Sequence, residues 1–172
     1  MKIKSINLPK PTEVGDDFLW YNEELTSLAM PRVERIGNDF LHCNEKLVSV
    51  ALPKVEEVRY NFLYSSGRLT TLDLPRLVEL GYNFLYHNDD LYSLNLPKVE
   101  RIGFSFMEHN LELVSLDLPS LREVGNFFLF SNKKLESLGL PKVEKVGDYF
   151  LFYNENIKVW KGCDENQNTQ LA

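Results

Sequence analysis

The chain is ruled by a period. Residues 138–159 read LGLPKVEKVGDYFLFYNENIKV, and the same pattern begins at Leu28, Val50, Leu72, Leu94 and Leu116. Each start lies 22 residues after the last, with no insertion between them. Ile6 opens one more copy upstream, and Trp160 stands where the next would begin. A fixed period of this length means small units stacked on one another, each unable to bury its apolar face alone. The expected class is a repeat solenoid of mixed α/β type, with about seven copies.

Counting each copy from slot 1 to slot 22 exposes the pattern. Slots 1 and 3 are apolar throughout: Ile6 and Leu8, Leu28 and Met30, Val50 and Leu52, and so on to Leu138 and Leu140. Apolar residues two apart mark a short strand with one buried face, and stacked copies would pair such strands into a parallel sheet. Slot 20, from Ile3 through Leu25 and Leu135 to Ile157, adds an apolar contact just before that strand. Slot 4 is proline in every copy, Pro9 to Pro141. Proline cannot donate to a ladder, so the strand should stop there. Slots 6 and 9 are apolar again and suit a second short strand or an extended corner.

Slot 10 holds Gly15, Gly37, Gly81, Gly103, Gly125 and Gly147. The simplest cause is a backbone turn of positive φ, with Arg59 as the exception, strained or turned differently. Slots 13 and 14 carry a Phe-Leu pair, Phe-Met at Phe106, which suits one 3-10 or short α turn. Slot 17 is asparagine, replaced once by Ser66. An asparagine stacked in this way can satisfy backbone groups in a tight turn.

The pattern LxxLxLPxVxxIGxxFLxxN resembles the leucine-rich repeat, most closely its short bacterial BspA-like class, which typically reads LxxLxLPxxLxxIGxxAFxxCxxL. Here slot 13 is Phe for a small residue, slot 14 Leu for Phe, and slot 17 Asn for Cys. The resemblance covers about residues 3–160. It implies a curved solenoid with the parallel sheet on the concave side and short 3-10/α turns on the convex side. It also implies work as a binding surface, without catalytic residues or cofactors.

Two surfaces are candidates for that work. In the family's geometry slots 2, 21 and 22 face outward on the concave side, and Tyr92 with Asp73, Asn95 and Asp117 forms the centre of one candidate site. The other is aromatic. Slots 11 and 12 bring Tyr60, Tyr82, Phe104, Phe127 and Tyr149, and slots 15 and 16 bring Trp20, Tyr21, Tyr64, Tyr86, Phe130, Phe152 and Tyr153. Tyr60, Tyr82, Tyr86 and Phe104 are its candidate contact residues. These rings either shingle to close gaps between copies or form an interface. Slot 5 is basic in six copies, from Lys10 to Lys142, which could track phosphates, but glutamates at slots 7 and 8 answer it with compensating charge.

Composition narrows the rest. Net charge is −6, which argues against general nucleic-acid binding. No apolar run suits a membrane helix, and the start MKIKSINLPK has no signal-peptide core. That favours the cytoplasm, or the cell surface if the chain is a fragment of a longer exported protein. Cys43 and Cys163 read as free thiols. His87 and His109 fall in adjacent copies beside Glu108, but further metal ligands are not evident. Neither a nucleophile elbow nor a phosphate-binding glycine loop is present.

The expectation is a single solenoid domain over residues 1–162 and a polar tail over 163–172. Met1, Ile3 and the Lys2/Lys4 alternation serve as a minimal cap at one end, and Val159 with Trp160 lids the other. The expected function is non-catalytic binding of a partner protein. Alternatives are an adhesive segment of a bacterial surface protein, or a small inhibitor, for example phage-borne, that occupies the surface of a larger enzyme or nucleoprotein. Self-association through the aromatic patch or an open solenoid end is a further expectation.

Overall fold

A computed structural model describes residues 3–161, with side chains to residue 158. The expected tail and the part of the cap formed by Met1 and Lys2 lie outside the described residues, as does the side chain of Trp160.

Among the described residues fourteen short strands follow in order: β1 (Ser5–Asn7), β2 (Glu13–Val14), β3 (Ser27–Ala29), β4 (Arg35–Ile36), β5 (Ser49–Ala51), β6 (Glu57–Val58), β7 (Thr71–Asp73), β8 (Glu79–Leu80), β9 (Ser93–Asn95), β10 (Arg101–Ile102), β11 (Ser115–Asp117), β12 (Glu123–Val124), β13 (Ser137–Gly139) and β14 (Val159–Lys161). The three-residue strands occupy slots 22 to 2. They pair in parallel with a register of one whole copy, Leu28 against Ile6 and Leu138 against Leu116. β14 continues the series, placing Trp160 opposite Leu138. The two-residue strands at slots 8 and 9 pair likewise, Val14 with Ile36 and Ile36 with Val58.

Two β-turns recur along the copies and link their walls. The slot 6 N–H donates to the slot 3 carbonyl, as Val33 to Met30 at 3.3 Å and Leu77 to Leu74 at 3.2 Å. Proline stands second in that turn, where its fixed φ is already correct. So the slot 4 proline both ends the strand and starts the corner. The slot 20 N–H donates to the slot 17 carbonyl, as Leu25 to Asn22 at 2.9 Å. Asparagine is favoured at the first position of such a turn.

The third wall, slots 11 to 16, is where the expected helical turns give way to something else. Among the described residues none is helical. Three residues of each copy, at slots 12, 14 and 16, have positive φ, and the slot 14 values run from 52° to 57°. Their N–H groups bond between copies: Asp17 and Tyr21 donate forward to Asn38 and His42, and Leu41 donates back to Phe18. A helix would turn these donors along the segment. Here they point along the solenoid axis and hold neighbouring copies together. The left-handed residues cost on the order of 1–2 kcal/mol each.

Among the described residues no glycine has positive φ, so the expected reason for slot 10 is corrected. The glycines are there because the preceding copy is close. A Cβ on Gly37 would lie 2.6 Å from the carbonyl carbon of Gly15, and one on Gly125 would lie 2.6 Å from the oxygen of Gly103. Gly15, in the first copy, would meet nothing. Arg59 keeps negative φ and the slot's inter-copy hydrogen bond, donating to Ile36 at 3.1 Å.

The core is a column of these slots. Phe18, Phe40, Phe62, Phe84, Phe106, Phe128 and Phe150 stack with centroids 5.3–5.8 Å apart and planes within 11°. The five central rings are fully buried, as are Leu41, Leu63, Leu85, Met107 and Leu129 beside them. The slot 17 asparagines form a second, polar column. Asn132 donates from Nδ2 to the Met107 carbonyl at 2.7 Å and to its own copy's Phe130 carbonyl at 3.4 Å, while its Oδ1 accepts from the Asn110 N–H at 3.0 Å. Ser66 keeps one of these bonds, to Leu41 at 3.2 Å. In the next copy the Asn88 Oδ1 is buried without a partner. The strand pairing also breaks between β5 and β7, next to this third copy, and again between β9 and β11.

Candidate interaction surface

On the third wall, slots 13 and 14 point inward, and their neighbours at slots 11, 12, 15 and 16 are left to face solvent or one another. The rings there form two rows. The first runs Trp20, His42, Tyr64, Tyr86, with His42–Tyr64 and Tyr64–Tyr86 stacked at 4.6 and 4.7 Å. Glu108 then takes the ring position, and His109 carries the contact past it, edge-on to Tyr86 and to Phe130 at 5.8 Å each. Phe130 passes it on to Phe152 and Tyr153. The second row runs Tyr60, Tyr82, Phe104, Phe127, Tyr149 at spacings of 4.7–6.3 Å. The rows meet through Phe127–Phe130 at 5.8 Å and Tyr149–Phe152 at 5.7 Å.

Of the two sequence alternatives for these rings, the structure shows the shingling. They do shingle across copies, and they remain open to solvent: Tyr60 is 50% exposed, Tyr82 52% and Phe104 45%. Tyr86, in the other row, is half-buried. His87 and His109, considered in the sequence only as metal ligands, are members of the ring surface, as is His42. Their slots, shared with Trp20 and Tyr21, carried that signal. His87 and His109 stack at 4.6 Å. Among the described residues no group of three or more His, Cys, Asp or Glu gathers in a way that could hold a metal ion.

Burial shifts the titration of several groups on this wall. Glu108 is 8% exposed, and loss of water pushes its carboxyl up, against smaller opposing effects of a Ser105 hydrogen bond and the His87 charge. Burial first, and then the His87 charge, hold His109 below the ordinary histidine range. Burial also raises the Tyr64 and Tyr86 hydroxyls, and burial with the Glu45 charge raises the Cys43 thiol. Cys43 is therefore a poor nucleophile at neutral pH. At the far end of the rows a depression of about 450 Å³ is lined by His109, Phe130, Lys133, Tyr153 and Glu155 among others.

The other candidate surface is less continuous. Tyr92 is exposed, but Asp73 and Asn95 bond to each other at 2.8 Å across β7 and β9. Asp117, on β11, lies across the break in strand pairing, against the next copy at Gly139. The slot 5 cations are compensated less directly than expected. Arg76 pairs with Glu56 at 2.6 Å, while other inter-copy pairs of this region lie within slots 7 and 8: Arg35–Glu13, Arg122–Glu144 at 2.7 Å and Lys145–Glu123 at 2.9 Å.

Parallel strands in whole-copy register, a leucine column and an asparagine ladder define a leucine-rich-repeat solenoid. The chain belongs to the BspA type leucine rich repeat family, whose region matches residues 1–88 and 78–169 in six copies. Such repeats often serve in protein interaction or adhesion and are typically non-catalytic. Neither the curated proteins nor the solved structures yield a match. No helix among the described residues is long and apolar enough to cross a membrane.

Proposed function

We propose that this chain is a non-catalytic protein-binding module whose contact surface is the ring-bearing third wall. The supporting observation is the unbroken run of ring contacts from Trp20 to Tyr153, joined by a second row in which Tyr60, Tyr82, Phe104 and Tyr149 stand exposed to water. Aromatic rings give large contact area at low entropic cost, and rings fixed by stacking lose still less freedom on binding. Contiguous exposed apolar surface of this kind marks interaction sites. The strand face exposes Val48, Tyr92 and Val114 singly among serines, threonines and the self-paired Asp73 and Asn95, and offers fewer anchors.

The test is affinity capture with quantitative mass spectrometry, comparing the native chain with Tyr60→Ser/Tyr82→Ser. Both substitutions lie on exposed ring positions, so the fold should hold, checked by circular dichroism. Loss of a specific partner from the variant supports this surface. Retention of every partner by a folded variant overturns it, and Tyr92→Ala then tests the strand face.

A further inference from the structure

We infer that the segment received by this wall is cationic and bears arginines; the inference rests on the protein-binding reading above. It comes from how charge is divided over the molecule. Slots 10 to 18 of the seven copies, which contain the whole ring surface, hold nine carboxylates and only two cations, Arg59 and Lys133. That side therefore carries −7, against −6 for the entire chain, so everything else sums to +1. The division is spatial as well as numerical. Asp16 and Asp17 hold the second row's own slots in the first copy, before its rings begin, and Glu23, Glu45, Asp89 and Glu155 at slot 18 lie just past the first row.

The two features do different work. Rings stacked copy on copy cover one another's faces and turn their edges outward, and a ring's edge carries the positive part of its quadrupole. The rings alone do not draw a cation there. The bordering carboxylates do, and the rings give the aliphatic stems of long basic side chains an apolar bed. Arginine suits this better than lysine, because its planar guanidinium pairs with carboxylates in bidentate fashion and is less strongly hydrated. An acidic or neutral segment would desolvate these carboxylates without compensation. Phosphate backbones are repelled.

The experiment uses the full chain and a fluorescein-labelled peptide of alternating arginine and glycine, with a glutamate–glycine peptide as its counterpart, read by fluorescence anisotropy. The arginine peptide is expected to bind and the glutamate peptide not to bind. Affinity should fall by about tenfold between low and near-physiological salt, as exposed charges become screened. Asp17→Asn/Glu23→Gln/Glu45→Gln, which removes three border charges, should weaken binding by about fivefold. Glu34→Gln/Glu79→Gln/Glu100→Gln changes net charge equally on the wall of two-residue strands, away from the rings, and should weaken it by less than about twofold. Equal loss in both triple variants would reduce the effect to net charge and overturn the inference, as would equal binding of the two peptides. The two readings fail separately. Partner capture lost in Tyr60→Ser/Tyr82→Ser, with no selective arginine-peptide binding, keeps the protein-binding surface and removes its cationic partner. Selective peptide binding with capture unaffected removes the assignment of capture to this surface.

Discussion

At the scale of single residues, much of the stability resides in groups that only a neighbouring copy can satisfy. Asn132 is fully buried and donates to carbonyls of two copies. Asn132→Ala should cost about 1–3 kcal/mol, because the buried Met107 carbonyl loses its donor, and urea unfolding measures it. The third copy offers the reverse change. Ser66→Asn should stabilise by about 0.5–1.5 kcal/mol by restoring the second donor bond that Asn44 and Asn88 make to their own copies. Glu108 gives a pH prediction. Its carboxyl is raised in the folded state, so the folded chain binds the proton more tightly than the unfolded one. Stability then falls as pH rises from the ordinary glutamate value through the raised one. Glu108→Gln should be the more stable protein at pH 7, with the difference vanishing below about pH 4. Urea midpoints at both pH values test it, and a wild type equally stable at pH 7 would contradict the burial argument. Residue types showed only part of this. The asparagine column was legible because its side chain has the right donors. The reason for glycine was not, since the obstructing atoms belong to a residue 22 positions away. Positive φ at Leu41 or Phe127 was invisible, because neither type advertises it.

At the scale of elements, each short strand is too small to persist alone, so the unit that counts is the interface between copies. The period displayed the strands well. Alternation at slots 1 and 3 located the long wall to within a residue, and slots 6 and 9 bracketed the second. The third wall was misjudged, because an adjacent Phe-Leu pair three residues past a glycine reads equally as a helical turn. What decides between them is the N–H direction, which depends on the copies above and below. The phenylalanine column makes the interface term measurable. Phe84 has stacked rings on both sides, Phe62 and Phe106, while Phe18 is stacked only on Phe40. Phe84→Ala should cost about 3–5 kcal/mol, as for a buried ring whose cavity cannot collapse. Phe18→Ala, partly exposed already, should cost less than half as much. Hydrogen exchange should also show Phe84→Ala loosening the copies on both sides, whereas Phe18→Ala frays one end. Equal costs would mean that the column is not coupled through stacking.

At the scale of the whole molecule, the same wall is both the most aromatic surface and the most negative one. These properties oppose each other in self-association. Two ring surfaces would gain from mutual burial, but each brings a charge of −7 to the contact. The Debye length sets the balance: about 30 Å at 0.01 M salt, where the two walls repel across the whole contact, and about 8 Å at 0.15 M, where most of that repulsion is screened. The chain should therefore be monomeric at low salt, and any association through this wall should strengthen as salt is added. Asp17→Asn/Glu23→Gln/Glu45→Gln should associate at lower salt than the native chain, and Tyr60→Ser/Tyr82→Ser should not associate at all. Association through the edge strand β1, in contrast, would rest on short-range backbone pairing. It would respond weakly to salt and be indifferent to both variants. Sedimentation equilibrium over a range of salt and protein concentration separates these cases. Salt-strengthened, tyrosine-dependent association would identify the ring wall as sticky by nature and held apart by its carboxylates, the state in which a cationic partner gains most by neutralising it.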